Sequence, residues 1–301
     1  MKRRDFIARS LGIGLTGLPL HAIAKTSIGT AELTTVSDGN LVLPAGFIFD
    51  PMPQDELQAI RQAYGLEGDQ LTPECNLALY QDGQNTVLFD VGSGPDFAAT
   101  AGTIADSLDQ IGLTPQDITH VLFTHAHPDH IWGLLDDFDE PLFSEASYYM
   151  GREEWDYWWN PATVDEIGAA RQAFAVGAKR RMEVIEDTVN FFDDGDEVLP
   201  GILAIGSFGH TPGHMSFEIR QGNDAALVVG DAIGNHHVAF ERPEWPSGSD
   251  QDAEAAILSR TRLLDRLAAE KLNLVGFHLP DGGMGRVEKA EVGYRFIGDR
   301  A

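Results

Sequence analysis

The chain of 301 residues is predicted to be an α/β protein, folded as an αββα four-layer sandwich. Three observations carry that prediction. Apolar runs of strand length fall into two groups, one in each half of the sequence. Segments with apolar residues at helical spacing flank both groups, the pattern of two sheets packed face to face and covered by helices. Each cluster of histidines and carboxylates adjoins one of the strand-like runs. No low-complexity stretch or short-period repeat breaks the pattern.

Residues 1–24 read as a signal peptide. Lys2-Arg3-Arg4-Asp5-Phe6-Ile7 resembles the twin-arginine export consensus, Leu11 to Ile23 is weakly apolar, and Ala22-Ile23-Ala24 is a small-x-small cleavage site. Cleavage after Ala24 would leave residues 25–301 as a single domain, periplasmic or secreted, exported already folded by the twin-arginine route. The apolar run is too short and too glycine-rich to form a stable membrane anchor.

Thr26 to Asp50 reads as one or two strands around a Gly39-Asn40 turn. Pro51 to Pro73 is an irregular excursion with a short helix from Asp55 to Tyr64, and the neighbouring Phe47-Ile48-Phe49 is a candidate wall for the mouth of a site. Asn76 to Tyr80 and Thr86 to Val91 pair around an Asp82-Gly83 turn. Ile104, Leu108 and Ile111 mark a helix that Gly112 stops, and Ile118 to Phe123 is a buried strand. Ser147 to Met150 is a strand. Gly151 to Asn160 is a helix carrying Trp155, Tyr157, Trp158 and Trp159, which cannot all face one core. An amphipathic helix spans Asp165 to Glu186, with Ile167, Phe174 and Met182 inward. Strands follow at Ile202 to Ser207, Met215 to Arg220, Ala225 to Val229 and Leu272 to Phe277, with a helix from Asp252 to Ala269.

The strongest chemical signal is Thr124-His125-Ala126-His127-Pro128-Asp129-His130, on the loop leaving the 118–123 strand. Alternate residues of an extended segment point the same way, so His125 and His127 face one point in space. Asp129 and His130 fall on the turn that follows and aim at a second point. Neutral imidazole and carboxylate are what zinc and its neighbours take as ligands, so this one segment can serve two metal ions.

Three later stretches extend the pattern in order: Gly209-His210-Thr211-Pro212-Gly213-His214, Val229-Gly230-Asp231 and Gly276-Phe277-His278-Leu279-Pro280. With them the sequence resembles the metallo-β-lactamase superfamily from about Thr34 to its end. It is most similar to the branch of methyl parathion hydrolase and the quorum-quenching lactonases, through Ser37-Asp38-Gly39, the HPDH form of the first motif, HTPGH and Gly293-Tyr294-Arg295-Phe296.

The resemblance implies the metallo-β-lactamase fold as one catalytic domain holding two divalent metal ions. Zinc is expected first, with manganese, cobalt or iron(II) as alternatives. His125, His127 and His214 would bind one ion, Asp129, His130 and His278 the other, and Asp231 would bridge them; His210 reads as a loop-organising residue. Asp90 of Asp90-Val91-Gly92 would support the metal loop from behind. A hydroxide held between the ions would attack a carbonyl or phosphoryl centre, with Asp129 as the catalytic residue that orients it or passes its proton on. Trp158 stands where the parathion-hydrolase branch contributes a pocket aromatic. Trp132 replaces a glycine usual in relatives, and Phe47 and His236 complete the expected substrate contacts. Relatives of this branch are often dimers, which makes a homodimer one expectation.

The implied activity is hydrolysis of a small, neutral, ester-like molecule: a lactone or carboxylic ester, or an organophosphate triester. A formal charge of −26 disfavours nucleic acid and anionic membranes as partners. Losing the segment through Ala24 removes Lys2, Arg3, Arg4, Arg9 and Asp5, a net +3, and gives −29. Asp231 stands where β-lactamases of this fold carry Cys or a non-bridging residue, which argues against antibiotic hydrolysis. A thioesterase resembling glyoxalase II would call for a helical region after His278, where roughly two dozen residues remain. A non-catalytic metal-binding member would usually lack ligands, whereas every expected position is filled. Cys75 is the only cysteine, so no intrachain disulfide can form.

Overall fold

The computed structural model describes residues 24–299, so the expected signal peptide up to Ile23 lies outside the described residues. Two seven-stranded sheets form the centre. In spatial order the first contains Lys25–Ile28, Ala31–Asn40, Glu74–Gln81, Thr86–Phe89, His120–Leu122, Ser147–Gly151 and Asn190–Phe192. The second contains Glu197–Leu199, Ile202–Gly206, Met215–Gln221, Asp224–Val228, Asn273–Val275, Met284–Lys289 and Tyr294–Gly298. Hairpins give antiparallel pairs, while Thr86–Phe89, His120–Leu122, Ser147–Gly151 and Asn190–Phe192 run parallel, as do Asp224–Val228 and Asn273–Val275.

Alternation along the strands puts apolar side chains on both faces of each sheet. Between the sheets, Leu33, Phe89, Leu122 and Phe192 meet Ile202, Phe217, Ile219 and Val275. The outer face of the first sheet is covered by Ile104–Gln110, Arg152–Trp159 and Gln172–Ile185, that of the second by Ala253–Glu270, whose Leu264 and Leu267 are fully buried. The order is helices, sheet, sheet, helix, which is the expected sandwich.

Two local expectations are corrected. Gly39-Asn40 is not a turn: the strand Ala31–Asn40 continues through it, and Gly39, at φ 96°, sits where the register slips between Ser37 and Asn40. That is a β-bulge, and only glycine adopts such a backbone without strain. The helix expected over 165–186 is broken into Thr163–Glu166 and Gln172–Ile185, because Gly168 at φ 92° cannot continue a right-handed helix. The 51–73 excursion carries its expected short helix, at Gln54–Ala63, and a further helix at Ala45–Phe49 packs with it in an apolar cluster.

Five strands end at the same rim. Phe89, Leu122, Gly206, Val228 and Val275 close strands that lead directly into Asp90, the 124–130 loop, His210, Asp231 and His278. Carboxyl ends of strands are where open α/β sheets hold ligands, because loops there are free to vary on a rigid base. Among the described residues no helix is long and apolar enough to cross a membrane.

Phe217 is fully buried between the sheets, with ring centroids 5.2 Å from Phe89 and 5.6 Å from Phe192. Phe217→Ala is expected to destabilise the chain by about 3–5 kcal/mol, read as a lowered urea midpoint at unchanged slope.

Candidate metal centre

The 124–130 loop is shaped by Asp90, a non-glycine residue held at φ 65°. One carboxylate oxygen accepts the Thr124 backbone N–H at 2.8 Å; the other accepts the Thr124 hydroxyl and meets His130 Nδ1, both also at 2.8 Å. Burial pushes the Asp90 carboxyl up, opposed by the nearby His130. With Nδ1 engaged, His130 turns Nε2 toward the centre, the way a carboxylate orients a ligating imidazole. Pro128 opens the short helix Pro128–Ile131, which lifts Asp129 and His130 off the line of His125 and His127.

Two groups of donors result. In the first, His127 Nδ1 lies 3.1 Å from His125 Nε2 and 2.9 Å from His210 Nε2. In the second, His278 Nε2 lies 3.2 Å from Asp129 and 3.3 Å from Asp231, and His130 Nε2 lies 3.4 Å from Asp231. Asp231 also approaches His210 Nε2 at 3.4 Å, so one carboxylate spans the two groups.

This geometry moves the third position of the first group from His214 to His210. His214 Nε2 accepts the Asp231 backbone N–H at 3.1 Å, and its Nδ1 meets the Ser207 hydroxyl at 2.7 Å. Both ring nitrogens are therefore used by the protein and no lone pair is left for a cation. Its role is to seat the Asp231 backbone, which is why Gly230 precedes Asp231: a Cβ there would lie 2.7 Å from His214 Nε2. His210 sits on the loop proper and has an outer partner, Asp250, 3.2 Å from its Nδ1; Arg260 in turn holds Asp250 at 3.3 Å. The clue available in sequence was position. His214 immediately precedes the strand Met215–Gln221, whereas His210 stands free of it.

The donor set fits divalent cations. His130 Nε2 and Asp231 Oδ1 are buried and, beyond each other at 3.4 Å, have no hydrogen-bond partner, an arrangement that a cation between them would complete. Three imidazole nitrogens converge in the first group, and burial, then the neighbouring histidines, hold His125 and His127 neutral, their pKa values well below the usual range. Neutral imidazole is the form that ligates. The second group attracts positive charge: against the opposing effect of burial, Asp231, Asp90 and Asp129 raise His130 to about 10. His278 is raised well above its usual value in the same way, chiefly by Asp231 against burial. Nitrogen and oxygen donors without sulfur suit zinc, manganese, cobalt or iron.

The centre floors a cavity of about 450 Å³. His127, Asp129, His210, Asp231 and His278 line its base, and Leu41, Leu43, Phe47, Ile48, Leu66 and Leu71 form an apolar wall. Two expected substrate contacts, Phe47 and His236, line it. The other two do not. Trp158 is 1% exposed; its indole N–H donates to Glu154 at 2.6 Å and its ring abuts His127 from behind, 5.7 Å between centroids. Trp132 packs on Gly177 and beneath the Arg181 guanidinium, 4.5 Å from its ring, and it is Phe97, 5.5 Å away, that reaches the cavity.

Residues 73–275 match the model of the metallo-beta-lactamase superfamily. An uncharacterized protein of Mycobacterium tuberculosis is 27% identical over 211 residues, 67% of this chain and 85% of that protein. Two solved structures superpose over nearly the whole fold. AidC, a dizinc quorum-quenching lactonase in complex with a product, N-hexanoyl-L-homoserine, has a TM-score of 0.85 at 26% identity, covering 92% of this chain and 97% of its own. AbOPH, a hydrolase of the beta lactamase superfamily, has a TM-score of 0.85 at 25% identity, covering 93% and 98%.

His210→Ala is expected to remove one of roughly two bound ions per chain, whereas His214→Ala keeps the count and lowers stability by about 1–3 kcal/mol through the orphaned Asp231 N–H. Elemental analysis of the purified variants decides, and the reverse pattern would sink this division of roles. A second expectation concerns His237, 5% exposed, whose Nδ1 accepts the Val238 N–H at 2.8 Å. Burial, then His236, lowers its pKa to about 3 from 6.5. The unfolded chain takes up this proton first, so the stability involved is complete above 6.5 and is lost as pH falls toward 3. Between about pH 7 and pH 5, His237→Asn should lose roughly 2 kcal/mol less than the wild type in urea titrations.

Proposed function

Because the chain belongs to the metallo-beta-lactamase superfamily, whose members compared above include a lactonase and a second hydrolase, we propose that it is a dinuclear metal-dependent hydrolase of small neutral esters, lactones foremost. The observation that carries the reading is the sharing of Asp231 between two donor groups at the floor of an apolar-walled cavity. His125, His127 and His210 would hold one cation, Asp129, His130 and His278 the other, with Asp231 common to both. When bound, such a pair supplies Lewis acidity and makes a water acidic enough to attack near neutral pH.

The chain's own residues do the rest. Asp129 lines the cavity with its Oδ2 3.2 Å from His278, a position from which it takes a proton from the attacking water and returns it to the leaving oxygen. Leu41, Leu43, Phe47 and Ile48 hold the apolar part of the substrate and exclude bulk water, which strengthens every electrostatic interaction at the floor. Arg171, the one lysine or arginine on the cavity wall among the described residues, donates to the carbonyls of Gly248 and Ser249 at 2.8 and 3.0 Å beside Phe47. A neutral ester also suits a chain of charge −26, which would repel anionic substrates. Export through the twin-arginine route in the folded state belongs to the same proposal.

The test is a panel of acyl-homoserine lactones, simple lactones, aryl esters and phosphotriesters presented to metal-replete protein. Lactones should show the highest kcat/KM, and both His127→Ala and Asp231→Ala should abolish turnover while the circular dichroism spectrum persists. Full activity in either variant, or no hydrolysis anywhere in the panel, ends this reading.

A further inference from the structure

Glu154 has no part in the chemistry above, yet it is 1% exposed and lies directly behind the first donor group. It stands in the first turn of the helix Arg152–Trp159 and accepts four hydrogen bonds. One oxygen takes the Ala126 backbone N–H at 2.8 Å and the Trp158 indole N–H at 2.6 Å. The other takes the Thr211 hydroxyl at 2.7 Å and the Gly213 backbone N–H at 3.1 Å. Ala126 lies between His125 and His127, and Thr211 and Gly213 follow His210. A single carboxylate thus joins the two loops whose histidines converge to 2.9 Å.

We propose that Glu154 is the positioning residue of the first metal site, clamping the His125–His127 loop to the His210 loop from behind with one carboxylate. This rests on the metal-centre reading above. The partners are N–H groups and one hydroxyl, and none of them is cationic, so the two oxygens are fully used as acceptors. Such a carboxylate is costly to bury, and a dication held by His125, His127 and His210 is a counter-charge for it. Two further features point the same way. Gly213 must be glycine, because a Cβ there would overlap the Glu154 backbone nitrogen, so the helix and the His210 loop meet backbone to backbone. Trp158, one turn along the helix, bonds the same carboxylate and packs its ring on His127. The second donor group is supported by Asp90 instead, and among the described residues none of its members hydrogen-bonds to Glu154.

Glu154→Gln keeps the side-chain volume but sets an amide NH2 against at least one N–H donor, Gly213 in the milder orientation. The experiment titrates the metal-free full chain with Zn²⁺ against a competing chelator and records the absorption spectrum of the Co²⁺-loaded protein. In Glu154→Gln one ion should bind as in the wild type and the other roughly 10- to 100-fold more weakly, with the cobalt spectrum altered for that ion alone. Wild-type affinity for both ions, or equal weakening of both, overturns the proposal; a merely structural residue would lower the melting temperature without singling out one ion. If Glu154→Gln does not fold, Thr211→Val removes one donor and leaves the carboxylate; it should weaken the same ion to a smaller degree, and unchanged affinity overturns the proposal. A wild-type chain that takes up no ion sinks the metal-centre reading itself, whereas two ions bound normally by both variants sink only the role of Glu154.

Discussion

Everything at the centre of this molecule depends on a buried carboxylate shared between two groups of imidazoles. Asp231 is 7% exposed, and among the described residues its ion pairs and those of Asp129 are with histidines alone. A carboxylate taken out of water is tolerated when hydrogen-bond donors or positive charge compensate it, and around Asp231 the side chains within ion-pair distance are imidazoles. No lysine or arginine meets that need here. The imidazoles meet it either by holding protons or by holding cations, and the raised pKa values of His130 and His278 express the same demand.

Meeting that demand takes precise placement, and the fold supplies it by repetition. Parallel and antiparallel strands of both sheets end at one rim, and the 124–130 and His210 loops are held by carboxylates behind them. Asp90 orders the 124–130 loop, Asp250 orients His210, and Glu154 ties those two loops together. Loops are ordinarily the mobile parts of a domain. Here their freedom is removed by hydrogen bonds to buried anions, which also add to the negative potential that draws cations in. The same arrangement explains a division among the aromatics: Trp158 and Trp132 stiffen the site from behind, while Phe47 and Phe97 face the cavity.

Much of this was legible in the chain. The two groups of strands, the covering helices and the HxHxDH segment are local properties, because strand and helix periods and the alternation of an extended segment depend only on near neighbours. The Asp90 glycine-rich turn was readable for the same reason. The breaks were readable less well. Gly39 and Gly168 both adopt positive φ, but one makes a bulge and the other ends a helix, and glycine itself does not say which.

Sequence alone thus determined the layered sandwich and which residue types gather at its rim, since burial patterns and ligand chemistry are written in the order of the side chains. Only the tertiary structure decided which histidine of His210 and His214 joins the first group, that Trp158 and Trp132 turn away from the cavity, and that Glu154 ties two loops. Those outcomes turn on which hydrogen-bond partners are left unclaimed after residues as far apart as 154 and 213, or 210 and 250, have packed together. A ring nitrogen becomes a ligand when no nearer protein group uses it, and that is a property of the assembled neighbourhood, which no local spacing encodes.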